Sequence, residues 1–224
     1  MSETFKTGLF KRFFDKLLSV ILPKNVKIEE IECMSVEDIS SKIPKGDDTY
    51  DDRFKALFQY RDKTTKSAIW AIKYSANKII AEKFSRLLYE YIIESISDDM
   101  VFSNFTKPII VPVPASKSSL KKRGYNQCEM IVNNLIKFDG RKNFEFCVYA
   151  IKKIRETDHQ SEMKNRQERL KNLQGSMFAN PNKVSGRNII LIDDVITTGA
   201  TMKEALRSLK EAGAKKVIGF TLAH

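Results

Sequence analysis

From Ser67 to about Ile96 the apolar residues Ile69, Ile72, Ala76, Ile80, Phe84, Leu87 and Tyr91 recur at steps of three and four, with no glycine or proline between them. That period puts them on one stripe, so the segment predicts a single long amphipathic helix. The pattern then changes. Pro108-Ile-Ile-Val-Pro-Val-Pro114 is a short β-branched run bounded by prolines, which predicts a buried strand. Ser116 to Gln127, rich in Lys, Ser and Gly, predicts a functional loop behind it. Glu129 to Lys137, with Met130, Ile131, Asn134 and Leu135, predicts the next helix, and the alternating Phe144 to Ile151 a second strand. Gln160 to Gln174 is the most polar part of the chain and reads either as a solvated helix or as a mobile loop.

The C-terminal part is the clearest. Asn188-Ile-Ile-Leu-Ile-Asp-Asp194 is a continuous apolar strand, Ala200 to Ala212 carries Ala205, Leu206 and Leu209 at helical spacing before Gly213, and Lys216 to Ala223 is a final strand. Strand, helix and strand of this length predict a right-handed βαβ unit in a parallel sheet. The fold class expected is α/β, a mainly parallel sheet of four or five strands flanked by helices.

The first 65 residues are poorly punctuated, apart from a polar loop at Pro44 to Asp52. We divide the chain into an N-terminal region, 1–65, and a main domain, 66–224. Leu9, Phe10, Phe13, Phe14, Leu17, Leu18, Val20, Ile21 and Leu22 raise the question of a signal peptide, but Lys11, Arg12, Asp15 and Lys16 interrupt the run and no small-residue cleavage site follows before Pro23. Its spacing fits an amphipathic helix packed against this chain or a partner, with a weak membrane-surface contact as the alternative.

Composition narrows the class. A chain of 224 residues holds one substantial core, or one core with a subdomain, but not two full domains. No stretch approaches the roughly 18 apolar residues of a membrane span. Cys33, Cys128 and Cys147 are scattered and never form a C-x-x-C pair, so neither a disulfide framework nor a cysteine zinc site is supported, and a reducing cytoplasm fits. His159 and His224 are the only histidines, which excludes an H-E-x-x-H metal site and argues against a Ser-His-Asp triad. The excess of 39 Lys and Arg over 28 Asp and Glu gives +11. That balance concentrates polyanions, whether phosphorylated metabolites or nucleic acid, or else reflects a solvated basic face.

The chemistry concentrates in Ile189-Ile-Leu-Ile-Asp-Asp-Val-Ile-Thr-Thr-Gly-Ala-Thr201. A strand buried on both faces ends in two carboxylates, and a Thr/Gly/Ala turn opens the next helix. In open α/β sheets ligands bind at that edge. Backbone N–H groups along Val195, Ile196, Thr197, Thr198, Gly199, Ala200 and Thr201 lead into a helix N-terminus that favours phosphate. Gly199 admits the phosphate without a Cβ, and the three threonine hydroxyls add donors. Asp193 and Asp194 suit vicinal sugar hydroxyls, or Mg²⁺ held directly or through water. A phosphorylated sugar matches all three parts.

These thirteen residues resemble the phosphoribosyl-diphosphate signature of type I phosphoribosyltransferases. Val111-Pro-Val-Pro114, followed by Lys121-Lys-Arg-Gly-Tyr-Asn-Gln127, is similar to the V-P-V-P and R-G-[FY]-N-Q pattern of the ComF-like, competence-associated members. Arg155, Thr157 and Gln160, then Arg169, Asn172-Leu-Gln-Gly175 and Phe178, resemble that family's R-x-T, Q and R-x-x-N-x-x-G segment. The resemblance covers Ser67 to His224. It departs in three places. The cysteine-rich zinc segment common in the family is missing, the glycine after the family's K-[FY] pair is replaced by Ser75-Ala76 behind Lys73-Tyr74, and the step from Gln160 to Asn172 is about one residue longer than the family's.

The resemblance implies a type I phosphoribosyltransferase fold in which the N-terminal helical region contributes to a hood over the acceptor. It implies phosphoribosyl diphosphate as substrate, Mg²⁺ as cofactor, and a small-molecule acceptor, most simply a nitrogen, that the sequence does not name. Asp193, Asp194 and Arg123 are the catalytic candidates. Backbone donors of Ala115 and Ser116 and the cations Lys117 and Arg123 suit the leaving diphosphate. Arg155 to Gly175 would be the loop that closes over the substrate, with a basic solvated helix as the alternative. A homodimer is common among the enzymes resembled. The reading from another class is a non-catalytic protein that keeps the sugar-phosphate pocket and serves DNA uptake or metabolite sensing, with single-stranded DNA as partner.

Overall fold

Continuous β-branched runs need cover on both faces, and the chain supplies it from two sides of one sheet. The structure is a computed structural model that describes residues 26–46, 51–102, 104–140, 142–156 and 172–224. Five strands, β1 (Phe54–Phe58), β2 (Ile109–Pro112), β3 (Glu145–Phe146), β6 (Asn188–Val195) and β7 (Lys216–Ala223), form a sheet in the order β1-β7-β6-β2-β3. Every pairing in it is parallel. β4 (Ile151–Lys153) and β5 (Met177–Ala179) form a separate antiparallel pair.

The two-residue period divides the core. Ile110, Ile190, Ile192, Ile218, Phe220 and Leu222 face one side, against Ile72, Phe84, Leu88, Ile131 and Leu135. Those residues come from α3 (Lys63–Tyr74), α4 (Lys78–Phe102) and α6 (Gln127–Phe138). Ile109, Val111, Ile189, Leu191 and Val217 face the other side, against Ala205, Leu206 and Leu209 of α8 (Ala200–Glu211), with Met177 and Ala179 of β5. The expected α/β class and parallel sheet are therefore what the chain forms.

The N-terminal region contributes more than its punctuation suggests. α1 (Val26–Cys33) and α2 (Val36–Lys42) bury Ile31 and Ile39 in the first core, and β1 pairs with β7 at the sheet's edge. In β1 the alternation of Phe54, Ala56 and Phe58, all buried, was the signal available. The apolar run from Leu9 to Leu22 lies outside the described residues.

Three expected elements differ. The single helix over Ser67 to Ile96 is two, α3 and α4, broken at Ser75-Ala76-Asn77. Ala76 takes φ 48°, and the Asn77 side chain accepts from the N–H of Ile80 to open α4. Apolar spacing runs in phase across the break, whereas capping chemistry decides it. The Ser116 to Gln127 loop contains α5 (Lys117–Arg123), capped by the Ser116 hydroxyl on the N–H of Ser119 and ended by Gly124 at φ 82°. The expected strand Phe144 to Ile151 splits between β3 and β4, because a turn closed by Ala150 N–H on the Cys147 carbonyl carries the chain off the main sheet. α7 (Pro181–Val184) leads into β6.

Candidate active site

The parallel sheet brings the carboxyl ends of β2 and β6 side by side, with Pro112 in register with Ile192. Everything that follows those strands therefore opens on one edge. A cleft of about 420 Å³ lies there. Val113 to Ser116 wall it from the β2 side, and Asp193 to Met202 from the β6 side. Lys73 and Tyr74 at the end of α3, Arg123 at the end of α5, Asn126 to Cys128 at the start of α6, and Lys153 of β4 complete it.

Strand β6 delivers its two carboxylates buried, Asp193 at 6% and Asp194 at 3% exposure. Asp193 Oδ1 accepts from the N–H of Asp194 at 2.9 Å and from the Cys128 thiol at 3.3 Å. Burial pushes the Asp193 carboxyl up to about 6, while Lys73, the Cys128 contact and Arg123 pull it down. Burial also pushes the Cys128 thiol well up, with the Asp193 charge adding to it. Burial thus favours the thiol form of Cys128, which serves as a hydrogen-bond donor to Asp193.

Lys73 stands opposite. Its Nζ lies 2.7 Å from Asp194 Oδ2, an oxygen with no aligned hydrogen-bond donor among the described residues. The contact is one of charge. Burial holds the Lys73 ammonium below its ordinary value, against the pull of Asp193 and Cys128. Tyr125 fixes the helix end that carries Lys73, donating to the Ile72 carbonyl at 2.5 Å and accepting from the N–H of Ala76 at 3.0 Å.

After Val195 the chain turns through Ile196, Thr197 and Thr198 to Gly199, whose φ of 73° starts α8 without a capping side chain. Gly199 has no side chain to cap the first amides; that of Ala200 reaches the Thr198 hydroxyl at 3.4 Å. All of Val195, Ile196, Thr197, Thr198, Gly199, Ala200 and Thr201 line the cleft, as do Ala115, Ser116 and Arg123. Arg123 Nε and Gln127 Oε1 are buried without a hydrogen-bond partner among the described residues. Lys117 is placed differently: it is exposed, does not line the cleft, and gives its N–H to Glu156 Oε1 at 2.9 Å. Arg155 is turned to the Asn172 and Gln174 carbonyls at 2.9 Å each. Thr157, Gln160 and Arg169 lie outside the described residues.

Lys73, Tyr74, Cys128 and Lys153 escaped the sequence reading as site residues. Lys73-Tyr74 carried a signal as the family's K-[FY] pair; a lone cysteine and a strand lysine carried none. For a divalent cation, Cys128, Asp193 and Asp194 bring ligand atoms within 4.8 Å of one another. The carboxylate oxygens suit a hard ion such as Mg²⁺. The Lys73 ammonium, however, already stands on one of them.

Residues 129–224 match the family described as Phosphoribosyl transferase domain. Competence protein ComFC of Bacillus subtilis (strain 168) is 34% identical over 160 residues, 66% of this chain and 61% of that one. Competence protein F of Haemophilus influenzae (strain Rd) is 32% identical over 114 residues, 51% of this chain and 49% of that one. Competence protein ComFC of Streptococcus pneumoniae (strain R6) is 28% identical over 168 residues, 75% of this chain and 66% of that one. The matches thus span between 49% and 66% of these relatives' own length. Among the described residues no helix is long and apolar enough to cross a membrane.

Proposed function

On the premise that this chain is homologous to the ComF-like proteins and carries a phosphoribosyl transferase domain, we propose that it binds phosphoribosyl diphosphate with Mg²⁺ and transfers the phosphoribosyl group to a nitrogen acceptor. The observation that carries this reading is the continuous wall from Asp193 to Thr201: two buried carboxylates, then an uncapped glycine-led helix start, on one side of one cleft.

The parts divide the substrate. Amides from Thr197 to Thr201 and the threonine hydroxyls take the 5-phosphate at the positive end of α8. Asp193 and Asp194 take the vicinal ribose hydroxyls. Ala115, Ser116 and Arg123, across the cleft, take the diphosphate, and the unpartnered Arg123 Nε supplies a charged donor. In the reaction the nitrogen lone pair forms the new bond at C1 while the bond from C1 to diphosphate oxygen breaks. Diphosphate leaves with that electron pair, and the acceptor nitrogen releases its proton. Mg²⁺, when bound, neutralises charge on the leaving diphosphate. The chain's own contribution is positioning and charge placement, with no protein nucleophile.

The relatives' names, competence proteins, support one alternative: a competence protein that keeps the pocket without turning over. Calorimetric titration with phosphoribosyl diphosphate, with and without Mg²⁺, followed by diphosphate release across bases and amines, separates the two. Mg²⁺-dependent binding with release on one acceptor establishes the transferase. Binding without release on any acceptor favours the alternative, and no binding overturns both.

A further inference from the structure

One acid of the pair already faces a cation from within the chain. Asp194 Oδ2 is buried and lacks an aligned hydrogen-bond donor among the described residues, which is the state of an oxygen waiting for a cation. The cation beside it is the Lys73 ammonium at 2.7 Å. That ammonium comes from a different layer of the fold, the last turn of α3, and it does not hang on a free helix end. The Tyr125 hydroxyl pins the carbonyl of Ile72 and the N–H of Ala76, the backbone on either side of Lys73-Tyr74. The other carboxylate is partly committed. Asp193 Oδ1 holds the Asp194 N–H and the Cys128 thiol, so one of its two oxygens is already in use.

We propose that Lys73 is the resident counter-cation of Asp194, so that the bare protein does not bind a divalent ion at the Asp193–Asp194 pair. A doubly charged ion on Asp194 would have to displace an ammonium already in charge contact with it, or else sit beside it in a site with little water to screen the repulsion. The ammonium then stands where it can follow the ribose hydroxyls that Asp194 receives. This inference uses the proposed function only in taking the two carboxylates as the ligand-facing pair; its test uses metal alone.

The experiment is Mn²⁺ binding to the full chain without nucleotide or sugar, followed by electron paramagnetic resonance of free Mn²⁺. Wild type and Lys73→Arg are expected to show no saturable site in the micromolar range. Lys73→Met is expected to gain one, at least tenfold tighter than any site in wild type, that Mg²⁺ competes away and that Asp194→Asn removes in the same background. A saturable micromolar site in wild type that Asp194→Asn abolishes overturns the proposal, as does a folded Lys73→Met that binds no better than wild type. If Lys73→Met does not fold, Lys73→Gln takes its place: a gained Mn²⁺ site that Asp194→Asn removes supports the resident cation, and no gain in a folded variant overturns it. Failure here leaves phosphoribosyl-diphosphate binding untouched, because that is read by calorimetry with the sugar present.

Discussion

The hydroxyl of Tyr125 accepts a hydrogen bond from the backbone N–H of Ala76 at 3.0 Å, tying the motif after β2 to the end of α3. The same hydroxyl donates to the Ile72 carbonyl at 2.5 Å. Tyr125→Phe removes both bonds and leaves two backbone groups unpaired in a partly buried place. We expect a loss of about 1–3 kcal/mol in urea unfolding, together with weaker phosphoribosyl-diphosphate binding as Lys73 loses its fixed position. A variant with wild-type stability would show that the hydroxyl does not hold the helix end.

Ala76 itself sits at φ 48°, where a Cβ crowds the following carbonyl. The family resembled has a glycine after its K-[FY] pair, where this chain has Ser75-Ala76. Ala76→Gly relieves a strain of roughly 1–2 kcal/mol and gives back part of it as unfolded-chain entropy. The expected net effect is a gain of about 0.5–1 kcal/mol, read as a higher urea midpoint at unchanged slope.

The same place shows what the sequence carried and what it concealed. Apolar spacing marked Ile69 to Tyr91 as core and was right about burial of Ile69, Ile72, Ile80 and Phe84. It missed the break because Ala76 stays in phase with that stripe, while the caps that end one helix and start the next are single residues. The β6 to α8 segment was legible because a buried run, two acids and a Thr/Gly turn are contiguous in sequence. Lys73, Cys128 and Lys153 were not, since they reach the cleft from three separate elements. β1 was overlooked for a related reason: the alternation of Phe54, Ala56 and Phe58 is only five residues long, and it becomes a strand where β7 offers its edge.

Gly219 lies in β7 beneath Phe54 and Met202. A Cβ there would stand 2.2 Å from Met202 Cε and 2.8 Å from Phe54 Cδ1. Met202 is buried and lines the cleft, so Gly219→Ala presses a flexible side chain toward the ligand. We expect about 1–3 kcal/mol of destabilisation and a measurable drop in phosphoribosyl-diphosphate affinity by calorimetry. Unchanged affinity in a folded variant would mean that Met202 yields elsewhere.

Asp194→Asn combined with Thr198→Val tests the site directly. The first change removes a ligand-facing charge and the second a hydroxyl at the start of α8. Binding of phosphoribosyl diphosphate should vanish from calorimetry, while the far-ultraviolet circular dichroism and a cooperative thermal transition remain. Affinity retained in the folded double variant would refute the assignment of this wall to the sugar phosphate.

Asp193 ties the site to pH. Burial raises its carboxyl from 3.8 to about 6, so the folded protein holds this proton more tightly than the unfolded chain does. Between those two values the native state binds more protons than the unfolded one, and stability from this group falls as pH rises through the window. The shift of about two units corresponds to roughly 3 kcal/mol that is present below pH 4 and lost by about pH 7. Asp193→Asn keeps an oxygen for the Asp194 N–H and the Cys128 thiol but cannot ionise. Its unfolding free energy should exceed that of wild type by about 1–3 kcal/mol at pH 7.5 and should converge on the wild-type value near pH 4. Equal pH profiles for the two proteins would show that the carboxylate is solvated in the cleft and that its burial costs nothing.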